Sequence, residues 1–72
     1  MKTCIKYYYR HPEDSSEYII CKDIDGYLVE KPDGSTDAHG TGYSLNDIEE
    51  MYGLENPYNE EACEGLCNDN KS

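Results

Sequence analysis

From Lys2 to Arg10 the chain alternates with a period of two. Thr3, Ile5, Tyr7 and Tyr9 point one way, and Lys2, Cys4, Lys6, Tyr8 and Arg10 point the other. This pattern, in β-branched and aromatic residues, is that of a β-strand. The next segment, His11-Pro12-Glu13-Asp14-Ser15-Ser16, is polar, and Pro12 cannot continue a hydrogen-bonded ladder. Glu17 to Ile24 then reads as a second strand, with Tyr18, Ile20 and Ile24 on one face and Ile19 and Cys21 on the other. Asp25-Gly26 is a hairpin signal, because Gly tolerates positive φ, and Tyr27 to Lys31 returns as a third strand. A two-residue turn would set Ile24 opposite Tyr27 and Lys22 opposite Val29. A three-residue loop would shift that pairing, and the register stays open.

Pro32-Asp33-Gly34-Ser35 is a further turn. The stretch Thr36–Gly42 carries little apolar content and reads as a connection that leaves room for a short strand. Ser44 opens a helix over 45–52: its hydroxyl can accept from the backbone of Asp47, and the Asp47 carboxylate can reach back. Leu45, Ile48, Met51 and Tyr52 recur at helical spacing and form one apolar face. Gly53 stands where a left-handed terminating residue belongs. After Asn56-Pro57, a short helix over 59–66 is expected, with Asn59 as cap, Glu60 and Glu61 at the positive end of its dipole, and Ala62 and Leu66 sharing a face. The fold expectation is therefore α+β, one domain over 1–72. It comprises a small antiparallel sheet of about three strands, one helix packed on a face, a short C-terminal helix, and a disordered tail over 68–72.

A chain of 72 residues buries only roughly 60% of its unfolded surface, so the core is small and gives poor walls for an enzyme pocket. All eight aromatics are Tyr, a residue suited to half-buried and partner-binding positions. No apolar run approaches the ~20 residues of a membrane span, and no signal-peptide pattern is visible at the N-terminus. A cytoplasmic protein with reduced cysteines is therefore expected. Cys4, Cys21, Cys63 and Cys67 show no two-residue zinc-knuckle spacing, and His11 and His39 stand alone in loops. A Cys4–Cys21 bridge is compatible with neighbouring strands, but free, partly buried thiols are the expected state, with no metal and no cofactor. Asp23-Ile24-Asp25-Gly26 is similar to the centre of a calcium loop, but the register would put Cys21 and Pro32 at ligand positions. No catalytic residues stand out, since Ser44 is explained as a cap, and an enzyme is not expected.

The strongest functional clue is charge. Sixteen Asp and Glu face six Lys and Arg, for a net −10. Residues 1–12 hold Lys2, Lys6 and Arg10 and no acid, so every carboxylate lies in residues 13–72. Such a body repels nucleic acid and anionic membrane, and attracts proteins whose working surface is basic, above all DNA-binding proteins. Acidity also serves solubility alone.

The segment Gly42-Tyr43-Ser44-Leu45-Asn46-Asp47-Ile48-Glu49-Glu50-Met51-Tyr52-Gly53 resembles the helix of the small dimeric uracil-DNA glycosylase inhibitors of Bacillus phages. Gly42, Ser44, Leu45, Asp47, Glu49, Tyr52 and Gly53 match that family's pattern, and Tyr18 to Glu30 is similar to its hairpin. The resemblance covers residues 17–53. It implies a homodimeric DNA mimic whose paired helices form an apolar groove for a leucine of the glycosylase, while carboxylates replace phosphates. Carried over, Ile48 takes the position of the family's Phe, Tyr52 helps wall the groove, and Asp47 and Glu49 supply charge. Glu50 and Met51 complete the expected partner-binding set. The expected partner is a basic DNA-binding protein, uracil-DNA glycosylase in the specific case, met in the host cytoplasm if the chain is phage-encoded. Other targets of the same physics are a restriction enzyme or a CRISPR effector. A small structural or assembly protein with incidental acidity is the contrasting reading.

Overall fold

The alternation at the N-terminus forms strand β1 (Cys4–Arg10) in the computed structural model, which describes residues 3–67. The expectation of a disordered tail over 68–72 falls outside that range. Strands β2 (Glu17–Asp23) and β3 (Gly26–Glu30) follow as expected. Two further strands correct the three-strand expectation: β4 (Thr36–His39) and β5 (Asn59–Cys63). The sheet has five strands in the spatial order β4-β3-β2-β1-β5, with every neighbouring pair antiparallel.

The expected C-terminal helix over 59–66 does not form; its first half is β5. Glu and Ala favour a helix locally, but propensity is weak beside tertiary pairing. Here residues 59–63 complete a ladder against β1, with Cys4 directly opposite Cys63. β5 is an edge strand whose residues 59–62 are exposed, and its Glu60 and Glu61 give the edge the charge that discourages further strand addition. β4 escapes an alternation search because it is a short edge strand with few apolar side chains. Its Asp37 and His39 sit opposite Val29 and Tyr27 and are half-buried on the side of the sheet that carries the helix.

The β2–β3 hairpin turns one residue earlier than expected. Asp23 pairs with Gly26, Lys22 with Tyr27 and Ile20 with Val29, which leaves Ile24-Asp25 as the loop. Two features set this register. The Asp23 carboxylate accepts the Asp25 backbone N–H at 2.7 Å and closes the turn. Gly26 lies against the β4 backbone with φ 129°, and a Cβ there would stand 2.2 Å from the His39 carbonyl oxygen. Ile24 is therefore expelled from the strand and is 76% exposed.

Helix α1 (Leu45–Tyr52) has the expected bounds and the expected capping box. Ser44 Oγ accepts from Asp47 N at 3.1 Å and Asp47 Oδ2 accepts from Ser44 N at 3.0 Å. Gly53, with φ 70°, ends the helix, and Leu54 N returns to the Glu49 carbonyl at 2.8 Å. Because every neighbouring pair is antiparallel, β4 and β5 run in the same direction at opposite edges. The chain must recross the sheet between them. Four strand spacings of about 4.8 Å separate these edges, and an eight-residue helix supplies only about 12 Å. The flanking segments complete the crossing, and Leu54 is buried on the way.

The core lies between this crossing and the sheet: Tyr9, Ile20, Tyr27 and Val29 from the strands meet Ile48 and Leu54, with Tyr7, Tyr18, Leu45 and Tyr52 packed around them. Among the described residues, the largest fully buried side chains are Tyr9, Ile20, Val29 and Ile48. At roughly 1.5–3 kcal/mol per side chain, so small a core needs a staple. The opposite face of the sheet supplies it. The cysteines are not free thiols, and the bridges are Cys4–Cys63 and Cys21–Cys67 rather than Cys4–Cys21. Their sequence separations of 59 and 46 correspond to about 4 kcal/mol each in the chain-entropy picture. The overlapping loops make the two contributions less than additive.

Candidate functional site

The helix divides the six expected partner-binding residues into two groups. Ile48 is fully buried in the core, which corrects its assignment as a surface anchor on this chain. Glu49 is turned inward: its Oε2 accepts the hydroxyl of fully buried Tyr9 at 2.8 Å. Tyr52 is half-buried. Asp47, Glu50 and Met51 face outward and are exposed. Met51, at 45% exposure, is therefore not part of the buried stripe, which runs through Leu45, Ile48, Glu49 and Tyr52 at the three- and four-residue steps of one helix face.

The outward group is chemically coherent. Asp47, Glu50 and Met51 stand three and four residues apart, so two carboxylates flank one apolar side chain. Glu50 lies in the last helical turn, which holds no basic residue, and Glu55 follows just beyond, also exposed. The carbonyl end of a helix already carries a partial negative charge, and an acid there costs roughly 0.3–1 kcal/mol. The β1–β2 loop comes close: a Cβ on Gly53 would meet His11 Nε2 at 3.2 Å. That loop adds exposed Glu13 and Asp14 to the same end of the molecule.

Behind the helix lies a hydrogen-bonded chain of different character. The Tyr52 hydroxyl donates to Asp37 Oδ2 at 2.8 Å, and Lys31 Nζ stands 3.3 Å from the same oxygen. His39 Nε2 lies 2.8 Å from the Tyr52 oxygen. A phenol has one proton to give. With that proton directed to Asp37, the histidine is the donor to Tyr52. Burial and the Asp37 carboxylate push the Tyr52 phenol up to about 12, while the hydrogen bonds from Tyr52 and Lys31 hold Asp37 below its ordinary value. At neutral pH the group braces β4 against the helix with its proton in place. The His39 ring also meets Tyr43 edge-on at 5.6 Å between centroids, so the segment entering the helix is tied to the same brace.

A second tyrosine cluster occupies the open face of the sheet. Tyr8 donates to Glu61 at 2.8 Å, Tyr58 donates to Glu17, and the Arg10 guanidinium sits 4.8 Å over the Tyr58 ring. Near the opposite end of that face the sulfurs of Cys4, Cys21 and Cys63 lie within 4.8 Å of one another. Sequence reasoning missed this gathering, because neither cysteine pair is local. It also missed Ile24 as an exposed apolar residue, which the Asp23 and Asp25 flanks of a tighter turn could have signalled. Among the described residues, no helix is long and apolar enough to cross a membrane. Compared with known proteins, the chain matches no family model, no curated protein and no solved structure.

Proposed function

We propose that this chain is a non-catalytic, acidic binding protein that occupies the basic cleft of a DNA-handling protein, with uracil-DNA glycosylase as the specific target. The observation that supports it is the carboxylate-rich carbonyl end of helix α1. Glu50, Glu55 and the Glu13–Asp14 loop add negative charge where the helix dipole is already negative. Local stability opposes that placement, and departures of this kind mark functional surfaces. The low-dielectric body behind the carboxylates focuses their field outward and steers a basic partner. Met51, at the edge of the acidic patch, supplies the apolar contact that charge alone lacks. The action belongs in the cytoplasm under this reading, where the glycosylase and its DNA are.

The test is uracil excision by a purified bacterial glycosylase with increasing amounts of this chain. Inhibition that competes with DNA and weakens steeply with salt is expected. Full excision activity at a large molar excess of the chain would end the glycosylase assignment. Binding to no basic-cleft protein at low salt would end the mimicry reading as a whole.

The contrasting reading, a structural protein with incidental acidity, is favoured by a separate observation. Asp14 and Asp33 accept Ser16 and Ser35 within their own loops, and Glu17, Glu49 and Glu61 anchor phenols. These acids serve the fold directly. The two readings differ in the expected fate of Glu50, whose side chain makes no hydrogen bond or ion pair among the described residues.

A further inference from the structure

We infer that the four cysteines are also a soft-metal site: when the two disulfides are reduced, Cys4, Cys21, Cys63 and Cys67 bind one Zn2+ as a tetrahedral four-thiolate centre. The gathering is made by topology. Cys4 and Cys63 face each other on β1 and β5, and Cys21 stands on β2 beside them. The sulfurs of these three residues lie within 4.8 Å of one another. Cys67, bonded to Cys21, brings the fourth. Zn–S bonds of about 2.3 Å in a tetrahedron place sulfurs about 3.8 Å apart. Forming the centre requires each bonded pair to open and the Cys67 sulfur to close on Cys4 and Cys63, since only Cys4, Cys21 and Cys63 are already gathered.

The backbone around the cysteines is held by hydrogen bonds in addition to the bridges. Cys63-Glu64-Gly65-Leu66-Cys67 has a three-residue spacing, within the two to four found between zinc-binding cysteines, and it turns at Gly65 with φ 88°. Thr3 Oγ1, just before β1, clamps the turn, donating to the Gly65 carbonyl at 2.9 Å and accepting the Gly65 N–H at 2.8 Å. The Cys67 N–H donates to Asp23 Oδ2 at 2.7 Å. Asp23 is itself buried and fixed by the Asp25 N–H. Thr3 N adds a bond to the Cys63 carbonyl at 3.1 Å. Reduction removes the two S–S bonds and leaves these contacts to hold the ligands in place.

The chemistry selects the metal class. Four thiolates are soft ligands that favour Zn2+ or Cu+ over Mg2+ and Ca2+. Each disulfide takes two electrons and two protons from a dithiol reductant, which leaves as its own disulfide. Zn2+ then displaces four thiol protons, which pass to solvent, and forms four Zn–S bonds. The centre carries two negative charges, partly offset by Lys6, which pairs across the ladder with Cys21 on the same face. The metal thereby replaces the staple that the small core needs, so the fold survives in a reducing compartment as well as an oxidising one. This inference does not depend on the identity of any protein partner.

The experiment uses the full chain, reduced anaerobically with a phosphine and titrated with Co2+ as a spectroscopic probe. One Co2+ per chain is expected, with a sulfur-to-metal charge-transfer band and the intense visible absorption of tetrahedral thiolate coordination, both abolished by Zn2+. Zn2+ addition at constant pH should release protons toward four per chain and raise the melting temperature of the reduced protein. Cys67→Ser should lower the charge-transfer intensity to that of three thiolates. An octahedral, water-like Co2+ spectrum would overturn the inference. So would two or fewer protons released at a pH where the thiols begin protonated, or an unchanged melting temperature of the reduced chain. The last two are read on the unmutated protein and do not require any variant to fold.

Discussion

Helical spacing puts Ile48 and Met51 on one apolar face, but the structure buries Ile48 and exposes Met51, and the difference has measurable size. Ile48→Ala removes three carbons from a fully buried side chain, a transfer loss of about 2.4 kcal/mol at ~0.8 kcal/mol per carbon. The unfilled cavity beside Tyr9, Ile20 and Val29 brings the expected cost to about 2–5 kcal/mol. A domain of this length has a total stability on the order of 4–11 kcal/mol. One substitution therefore removes a large share of it, and the melting temperature should fall by on the order of 10–40 °C. Met51→Ala, at a half-exposed position on a helix, should stay within about 0.5 kcal/mol of the parent, yet weaken the basic partner by roughly 1 kcal/mol or more. Circular dichroism melts of both variants with the disulfides intact, beside their affinities for the partner, give the comparison. If Ile48→Ala melts within a few degrees of the parent while Met51→Ala loses most of its stability, the assignment of inner and outer helix faces is wrong. If Met51→Ala binds the partner unchanged, the acidic face acts without this apolar contact.

Gly26→Ala forces a side chain into φ 129° and into the His39 carbonyl, so a loss well above 1 kcal/mol is expected in urea unfolding; Gly40→Ala, with open space around it, is the control. Tyr52 is raised to about 12 in the folded protein against about 10 in the unfolded chain. Its contribution is thus complete below pH 10 and lost as pH rises toward 12. Tyr52→Phe should flatten the alkaline stability profile over that window, and an unchanged slope would place the alkaline transition elsewhere. Glu49→Ala leaves the buried Tyr9 hydroxyl without its acceptor and should cost about 1–3 kcal/mol. Glu50→Gln relieves repulsion at the helix carbonyl end and should raise stability by a few tenths of a kcal/mol up to about 1 at low salt, while slowing association with the basic partner. A Glu50→Gln variant that binds as fast as the parent would favour incidental acidity.

What was legible in the chain was local. The helix bounds follow from Ser44, Asp47 and Gly53, each within one turn of the end it caps, and each acts in the structure as its chemistry requires. β1, β2 and β3 follow from alternation that needs no knowledge of the partner strand. What was not legible was settled by distant contacts. β5 carries residues that favour a helix, and becomes a strand because β1 offers an unpaired edge and Cys4 offers a bond 59 residues away. The hairpin register depended on Gly26 fitting against β4, a strand that had left only a faint trace. Ile48 and Met51 are both apolar and both at helical spacing. Glu49 takes the inward position beside Ile48 because the buried Tyr9 hydroxyl requires an acceptor. An apolar pattern cannot show that demand, since it arises on a strand 40 residues earlier.

The abundance of both Tyr and acid has one physical source, and it limits what net charge says about function. With six cations for sixteen carboxylates, most acids have no Lys or Arg to meet. The phenol is the donor that replaces them: Tyr8, Tyr9, Tyr52 and Tyr58 give their protons to Glu61, Glu49, Asp37 and Glu17. Asp14, Asp23, Asp33 and Asp47 accept backbone N–H groups at turns and at the helix cap. Phe could not substitute at these four positions, which are half of the eight tyrosines. Eight carboxylates are thus committed to the fold by hydrogen bonds, and a phosphate-mimicking surface has to be argued from the others. Glu13, Glu30, Glu50, Glu55 and Glu60 are exposed and make no side-chain hydrogen bond or ion pair among the described residues. Of these, Glu50 and Glu55 lie at the carbonyl end of helix α1, beside the loop that carries Glu13. The case for a basic partner therefore rests on that end of the molecule, and not on the net charge of the whole chain.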